Sequence, residues 1–277
     1  MKARVNKIIP FSSVDGPGNR TAIFFQGCNF DCNYCHNPET INICNNCGEC
    51  IEVCPVDALS REEGVVSWNH ELCEECDRCI QRCPRNSSPR VRQMSVNQII
   101  DEIEKTRPFI SGITVSGGEV LLQTEFVQKL FYEVKNMGLS CFVDTNGSVS
   151  LWEREELVKV MDKAMVDLKS FNKDEHKRLT GHSNETVIKN IKFLAEYEKL
   201  YEVRTVIVPE LLNNKRNVDM TSKLITSLDK DIRYKLIKFR PKGVRSDRVD
   251  SQVPTDKLME ELERLAENNG CENLLIV

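Results

Sequence analysis

Cys28, Cys32 and Cys35 lie in the run Gly27-Cys28-Asn29-Phe30-Asp31-Cys32-Asn33-Tyr34-Cys35-His36, a C-x3-C-x2-C spacing with three thiols and no fourth. A cubane iron-sulfur cluster held by three cysteines keeps one iron free of protein ligands, so a small molecule can bind the metal directly. A structural zinc site is the plainer use of clustered cysteines, but it is closed by four protein ligands and usually pairs them as C-x2-C. His36 could supply a fourth ligand, although its adjacency to Cys35 makes poor geometry. The spacing favours an open 4Fe-4S cluster.

A second group follows. Cys44, Cys47, Cys50 and Cys54-Pro55 form C-x2-C-x2-C-x3-C-P, and Cys73, Cys76, Cys79 and Cys83-Pro84 repeat it 29 residues later. This is the bacterial two-cluster ferredoxin pattern, in which the fourth cysteine of each run ligates the other cluster. Cys44, Cys47, Cys50 and Cys83 are expected to hold one 4Fe-4S cluster and Cys73, Cys76, Cys79 and Cys54 the other. Two zinc sites or a disulfide framework could use the same cysteines, but the duplicated Cys-Pro endings speak for clusters.

Composition sets the outer bounds. The 277 residues can bury a sizeable core, and a formal charge of −4 gives no reason to expect nucleic acid or an anionic membrane as partner. No apolar run is long enough to span a bilayer, and Met1-Lys2-Ala3-Arg4 does not open a signal peptide. Thirteen cysteines then fit a reducing cytoplasm and metal ligation. The three runs use eleven of them; of the other two, Cys141 and Cys271, Cys141 lies in an apolar strand pattern and reads as core.

The elements that must position these groups are read from periodicity. Short apolar strands are expected at 112–116, 140–145, 163–169, 202–208, 232–239 and 273–277, alternating with helices at 125–137, 153–160, 186–199, 216–228 and 255–268. Ser95 is a plausible N-cap for a further helix through Lys105, with Ile99, Ile100 and Ile103 on one side. Such alternation argues for an α/β chain with a parallel sheet, and the lack of a long linker favours a partial, open TIM-type barrel over two α/β halves. The expected division is a barrel from 1–37 and 91–277, interrupted by a ferredoxin-like insert at 38–90. In such folds ligands sit at the carboxyl ends of the strands. There lie Gly117-Gly118-Glu119, Asp144-Thr145-Asn146-Gly147 and Asp167-Leu168-Lys169. Taken singly, each has a bland reading as a tight turn or a solvated ion pair. Arg204 interrupts an apolar strand, where a charge is costly unless paired.

Taken together, Asp15-Gly16-Pro17-Gly18, Phe24-Phe25-Gln26-Gly27-Cys28, His36-Asn37-Pro38, G-G-E, D-T-N-G and D-L-K resemble the glycyl-radical-enzyme activases of the radical S-adenosylmethionine (SAM) enzymes, most closely the YjjW-type subgroup. The resemblance spans nearly the whole chain. It implies that Cys28, Cys32 and Cys35 hold the catalytic cluster, that Glu119 with Gly117 and Gly118 receives the SAM amino group, and that Asp144 and Asn146 lie by its methionine portion and a monovalent cation. It places Tyr34, Asp167 and Lys169 with the cofactor or peptide contacts, and Arg204 near the SAM carboxylate. Where many activases carry a histidine against the nucleoside, this chain has Arg240, which is always charged and cannot do a neutral imidazole's work. His70, His176 and His182 show no ligand spacing.

The activity so implied is reductive cleavage of SAM to methionine and a 5′-deoxyadenosyl radical, which takes a hydrogen from a backbone glycine of a partner glycyl radical enzyme. The cofactors expected are three 4Fe-4S clusters and SAM. The expected electron donor is of the flavodoxin or ferredoxin type.

Overall fold

Strands that are apolar at nearly every position must be covered on both faces, and the central strands meet that demand. The computed structural model describes residues 1–277. In chain order it contains β1 (Lys2–Ser12), β2 (Arg20–Phe25), β3 (Leu59–Glu62), β4 (Val65–Trp68), α1 (Arg78–Arg82), β5 (Arg92–Ser95), α2 (Val96–Glu104), β6 (Gly112–Gly117), α3 (Thr124–Asn136) and β7 (Ser140–Thr145). There follow α4 (Glu155–Val160), β8 (Lys163–Asp167), α5 (Lys173–Thr180), α6 (Glu185–Glu196), β9 (Leu200–Ile207), α7 (Asn214–Leu228), β10 (Arg233–Lys238), α8 (Asp256–Asn268) and β11 (Leu274–Ile276). One sheet takes the order β11-β10-β9-β8-β7-β6-β2-β1-β5. From β2 through β11 its pairings are parallel, while β1 runs antiparallel to β2 and β5. β11 and β5 are its two free edges, so the parallel sheet is open, as a partial barrel requires.

The α/β alternation read from the sequence is present, with ends shifted by a few residues. Ser95 caps α2 in a full capping box with Gln98, and Ile99 and Ile103 are buried while Ile100 is partly so. Besides the short α1, five elements escape the periodicity. β1 and β5 flank the sheet, β3 and β4 pair as a hairpin, and α5 is too polar to show an apolar stripe. α5 does carry end signals: Asn172 accepts from the Glu175 amide, and Gly181 follows at φ +85°.

The D-G-P-G segment lies away from the cysteines. Arg20 opens β2 and is fully buried; its guanidinium donates to Thr114 Oγ1 (2.8 Å), Ile113 O (2.6 Å) and Ser140 Oγ (2.9 Å), and it stacks 4.1 Å over Phe142. These partners sit at or near the amino ends of β6 and β7. Arg20 therefore closes the end of the sheet opposite the strand-end carboxylates.

Residues 42–87 hang from the sheet by a stapled neck: Ser88 N donates to Glu39 O (3.0 Å), Asn42 Nδ2 to Arg85 O (2.7 Å) and Ser87 Oγ to Asn42 O (2.8 Å). The 29-residue repeat is also geometric. Positive φ recurs at Asn46 and Glu75, Gly48 and Asp77, and Asp57 and Asn86. The turn bonds Ile51 N to Gly48 O and Cys54 N to Ile51 O recur as Ile80 N to Asp77 O and Cys83 N to Ile80 O.

Candidate metal and cofactor site

β2 delivers the cysteine loop, and its neighbours hold the entry. Gly27 N donates to Thr40 O (2.8 Å) and Cys28 N to Ile41 O (2.9 Å), while the Gln26 amide donates to Glu39 O and Asn42 O (2.6 Å each). Beyond Cys28, Asp31 N and Asn33 N donate to Thr180 O and Leu179 O (3.0 Å each), at the end of α5. Phe30 is packed between the rings of His176 and His182, at 5.5 and 5.4 Å. Those two histidines, unassigned by spacing, thus brace the loop.

All three thiols are free of disulfides. Burial pushes Cys28 up to about 12, helped by the Glu119 carboxylate and by Cys32 and Cys35; burial likewise holds Cys32 at about 12 and raises Cys35. Thiols so disposed ionise only with a cation to take the charge, which a metal supplies. No three Cys, His, Asp or Glu side chains converge as ligands of one metal ion. Three free thiols on one loop within electrostatic reach of each other suit the outside of a larger body, and a cubane fits this donor set.

At the end of β6 the two glycines and Glu119 make close contacts within the protein. The two glycines do make room for a close approach, but to protein backbone: a Cβ on Gly117 (φ +122°) would meet Phe25 N and O at 2.3 Å, and one on Gly118 would meet Gly27 O at 2.3 Å. Gly118 N and Glu119 N donate to Phe25 O (2.9 Å) and Gly27 O (2.8 Å). Glu119 is not an open acceptor either. At 1 % exposure it accepts from Leu121 N (3.0 Å), Thr145 Oγ1 (2.8 Å) and Asn146 N (2.8 Å). Burial nevertheless lifts its carboxyl to about 7, against the pull of these donors. Glu119 braces β6 against β7, and Asn146 carries the brace onward, its Nδ2 lying 3.7 Å from Cys28 Sγ and 3.3 Å from Asn29 Oδ1.

The remaining strand ends form an ionic row. Arg204 on β9 reaches across β8 to Asp144 (3.0 Å) and also holds Glu202 (2.5 Å) and Met165 Sδ (2.8 Å). Its guanidinium is thus paired within the sheet. Ser116 Oγ donates to the other Asp144 oxygen (2.9 Å). Burial raises the Asp144 carboxyl, with Arg204 opposing. In Asp167 burial is outweighed by Lys169 and Arg204, which hold it below the ordinary carboxylate range. Lys169 binds Asp167 Oδ2 at 2.7 Å. An ammonium has three donors, so Lys169 retains two.

Tyr34 is buried with Leu179, Val206, Val208 and Phe239, and its hydroxyl has no partner. Lys169, Cys32 and Asp167 are the charges that act on it. Arg240 is exposed, and only its carbonyl touches the loop, 3.0 Å from His36 Nε2. The buried arginine of this region is Arg245, which no spacing signalled. It donates to Cys32 O (2.8 Å) and pairs with Asp31 (2.7 Å), so the segment after β10 straps the cysteine loop.

In the cysteine-rich segment one small cavity is lined by Cys54 together with Cys73, Cys76 and Cys79, beside Pro55, Ala58, Leu59, Trp68 and Arg90. Cys50 is pushed up to about 11 by burial and by Cys44, with Cys79 and Cys83 contributing. Cys54, the fourth cysteine of its run, therefore faces the other run. Two wide clefts, of about 980 and 960 Å³, lie elsewhere, between β4 and β5 and beside Trp152.

A family model described as the radical SAM superfamily matches residues 22–216, which include the cysteine loop and β2 through β9. The chain belongs to the radical SAM superfamily. It is similar to the trans-4-hydroxy-L-proline dehydratase activating enzyme of Clostridioides difficile, at 32% identity over 91% of this chain and 92% of the relative. It is also similar to the pyruvate formate-lyase-activating enzyme of Streptococcus mutans, at 29% over 86% and 78%. Among solved structures, QueE from Escherichia coli aligns with a TM-score of 0.56 over all of this chain and 94% of that one; at 13% identity the likeness is one of fold. As a radical SAM enzyme the chain uses a 4Fe-4S cluster and SAM. No helix is long and apolar enough to cross a membrane.

Proposed function

We propose that this chain is an activating enzyme for a glycyl radical enzyme, of the YjjW-type subgroup, with residues 38–90 as a two-cluster ferredoxin-like insert in a partial barrel formed by 1–37 and 91–277. The observation that carries the reading is the near full-length similarity to named activating enzymes, joined to the gathering of Cys28, Asn146 and Glu119 at one end of the sheet. The crossed lining of the Cys54 cavity supports the two extra clusters, three in all.

When bound, the site cluster and SAM supply a one-electron cleavage that releases a 5′-deoxyadenosyl radical. The chain's own part is to hold and orient. Cys28, Cys32 and Cys35 would hold the cluster, with no fourth cysteine in their loop to close it. Asp144, held by Arg204, and Asp167, held by Lys169, lie at the strand ends, and the spare donors of Lys169 suit the SAM carboxylate. The hydroxyl of Tyr34 is an unpartnered donor beside them. Glu119 sets the backbone around the amino group rather than reaching it, and Arg240 at the rim serves the nucleoside. Asn146 and Asp144 are the oxygens offered to a monovalent cation. The insert passes electrons from a flavodoxin- or ferredoxin-type donor.

A glycine is a suitable target because its α-carbon has no side chain to block approach and its radical is delocalised over two amides. The partner loop must bring that carbon to the 5′-carbon in a near-attack arrangement. With a candidate partner deuterated at its glycines, the reduced enzyme and SAM are expected to yield deuterated 5′-deoxyadenosine and a lasting carbon radical on the partner alone. Label transfer from a free metabolite, with no radical on any glycyl radical protein, overturns the activase reading and leaves a radical SAM enzyme of small-molecule substrate.

A further inference from the structure

Trp68 lies at the end of β4, and its indole Nε1–H is buried with no hydrogen-bond partner. A stranded N–H costs free energy, so what it faces matters. It lines the cavity of Cys54, Cys73, Cys76 and Cys79, together with Arg90. Arg90 is fixed there by Asp77 at 2.5 Å.

The duplicated run provides an internal control. A backbone donor to sulfur recurs in both halves: Ala58 N to Cys54 Sγ (3.2 Å) is matched by Ser87 N to Cys83 Sγ (3.4 Å). The arginines also recur, since Arg61 and Arg90 are 29 residues apart. Their bonds differ. Arg61 gives Nη2 to the carbonyls of Asn46 (2.7 Å) and Cys47 (2.5 Å), whereas Arg90 turns to Asp77 at the cavity wall. Trp68 has no counterpart, because the residues 29 before and after it, Glu39 and Asn97, fall outside the repeated run.

We propose that Trp68, assisted by Arg90, sets the cluster of Cys54, Cys73, Cys76 and Cys79 at a higher reduction potential than the cluster of Cys44, Cys47, Cys50 and Cys83. This rests on the two-cluster reading above. Reduction adds negative charge that spreads onto the cluster and ligand sulfurs, so an N–H aimed at a sulfur stabilises the reduced form more than the oxidised one. The Ala58 and Ser87 donors are matched across the repeat; the indole has no counterpart in the other run. This cluster is then the first of the two to be reduced by an external one-electron donor.

The test is a potentiometric titration of the anaerobically reconstituted full chain, followed by electron paramagnetic resonance. Trp68→Phe keeps the ring and removes the N–H. At a fixed potential it is expected to lower the reduced-to-oxidised ratio of one cluster by roughly tenfold, a shift of about 59 mV for one electron. That cluster should be the one lost in Cys54→Ser, and the other two should not move. The chain has two tryptophans, Trp68 and Trp152. Indole-15N labelling of the otherwise unaltered chain, and of Trp152→Phe as control, should therefore show a nitrogen hyperfine coupling in that same signal. This second measurement decides the matter if Trp68→Phe fails to assemble its cluster. Unchanged midpoints, or no 15N coupling, overturn the role of Trp68. Fewer than three clusters in the wild-type chain would instead remove the two-cluster reading itself.

Discussion

Glu119 offers the sharpest separation between holding a ligand and holding the site. Glu119→Ala strands three buried donors, Leu121 N, Thr145 Oγ1 and Asn146 N. The Thr145 hydroxyl can rotate, and its oxygen already accepts from Gly147 N (3.0 Å), so the loss falls mainly on two amides. At about 1–3 kcal/mol for each stranded donor, the expected destabilisation is about 3–4 kcal/mol once some water enters. Glu119→Gln keeps the oxygen shared by Leu121 and Thr145 but turns an NH2 toward the Asn146 amide, for a cost of about 1–3 kcal/mol. Denaturant unfolding of the reconstituted variants gives these values, and calorimetry gives SAM affinity alongside. Affinity should fall in step with stability. A Glu119→Gln protein as stable as wild type that no longer binds SAM would refute the bracing argument and make the carboxylate a direct ligand. The pH dependence adds a signed check. The carboxyl sits at about 7 in the folded chain against 4.5 for an unburied glutamate, so the native state holds an extra proton between those values. That contribution is complete below about 4.5 and is lost as pH rises through about 7, by up to ~3 kcal/mol. Glu119→Gln, which does not titrate, should lack this slope.

Cys54→Ser is expected to lower iron from about twelve to about eight per chain, losing the cluster of Cys73, Cys76 and Cys79; spectra that instead lose the Cys44, Cys47 and Cys50 cluster would break the crossed connectivity. Gly117→Ala drives a Cβ into Phe25 backbone at 2.3 Å and should cost more than about 3 kcal/mol in thermal or denaturant unfolding. Gly138→Ala, at φ +76° with nothing within 4 Å, should cost about 1 kcal/mol, and equal effects at the two sites would refute the packing argument. Arg245→Met removes the bonds to Cys32 O and Asp31. It should speed proteolytic cleavage within 240–254 by roughly tenfold, the loop opening locally before the core does; an unchanged cleavage rate would mean the strap is held by its apolar contacts instead.

The sequence displayed the groups that could act far better than it displayed which of them stay free to do so. Thiol spacing is local, so both cysteine patterns could be read directly, and a polar residue ending an apolar run marks a strand end by the same local logic. Partnership across strands is not local. Arg204 reads as an available cation until β9 is placed two strands from β7, where Asp144, 3.0 Å away, and Glu202 on its own strand claim it. Glu119 reads as an available anion until the ends of β6 and β7 are side by side. Arg245 left no trace, because it sits in a segment without periodicity and acts on Cys32, 213 residues earlier. α5 was missed since its buried side includes Glu175 and His176 rather than an apolar stripe. Once these pairings are counted, the ionic row leaves few choices for an anionic ligand group. Arg204 is committed on all its nitrogens, Arg245 is drawn to Asp31 and Cys32 O, and Arg240 stands exposed at the rim. Lys169, bound to Asp167 through one of its three donors, keeps hydrogen bonds to give, and so do Lys235, in register beside Arg204 and without a side-chain bond of its own, and the buried Nε of Arg245.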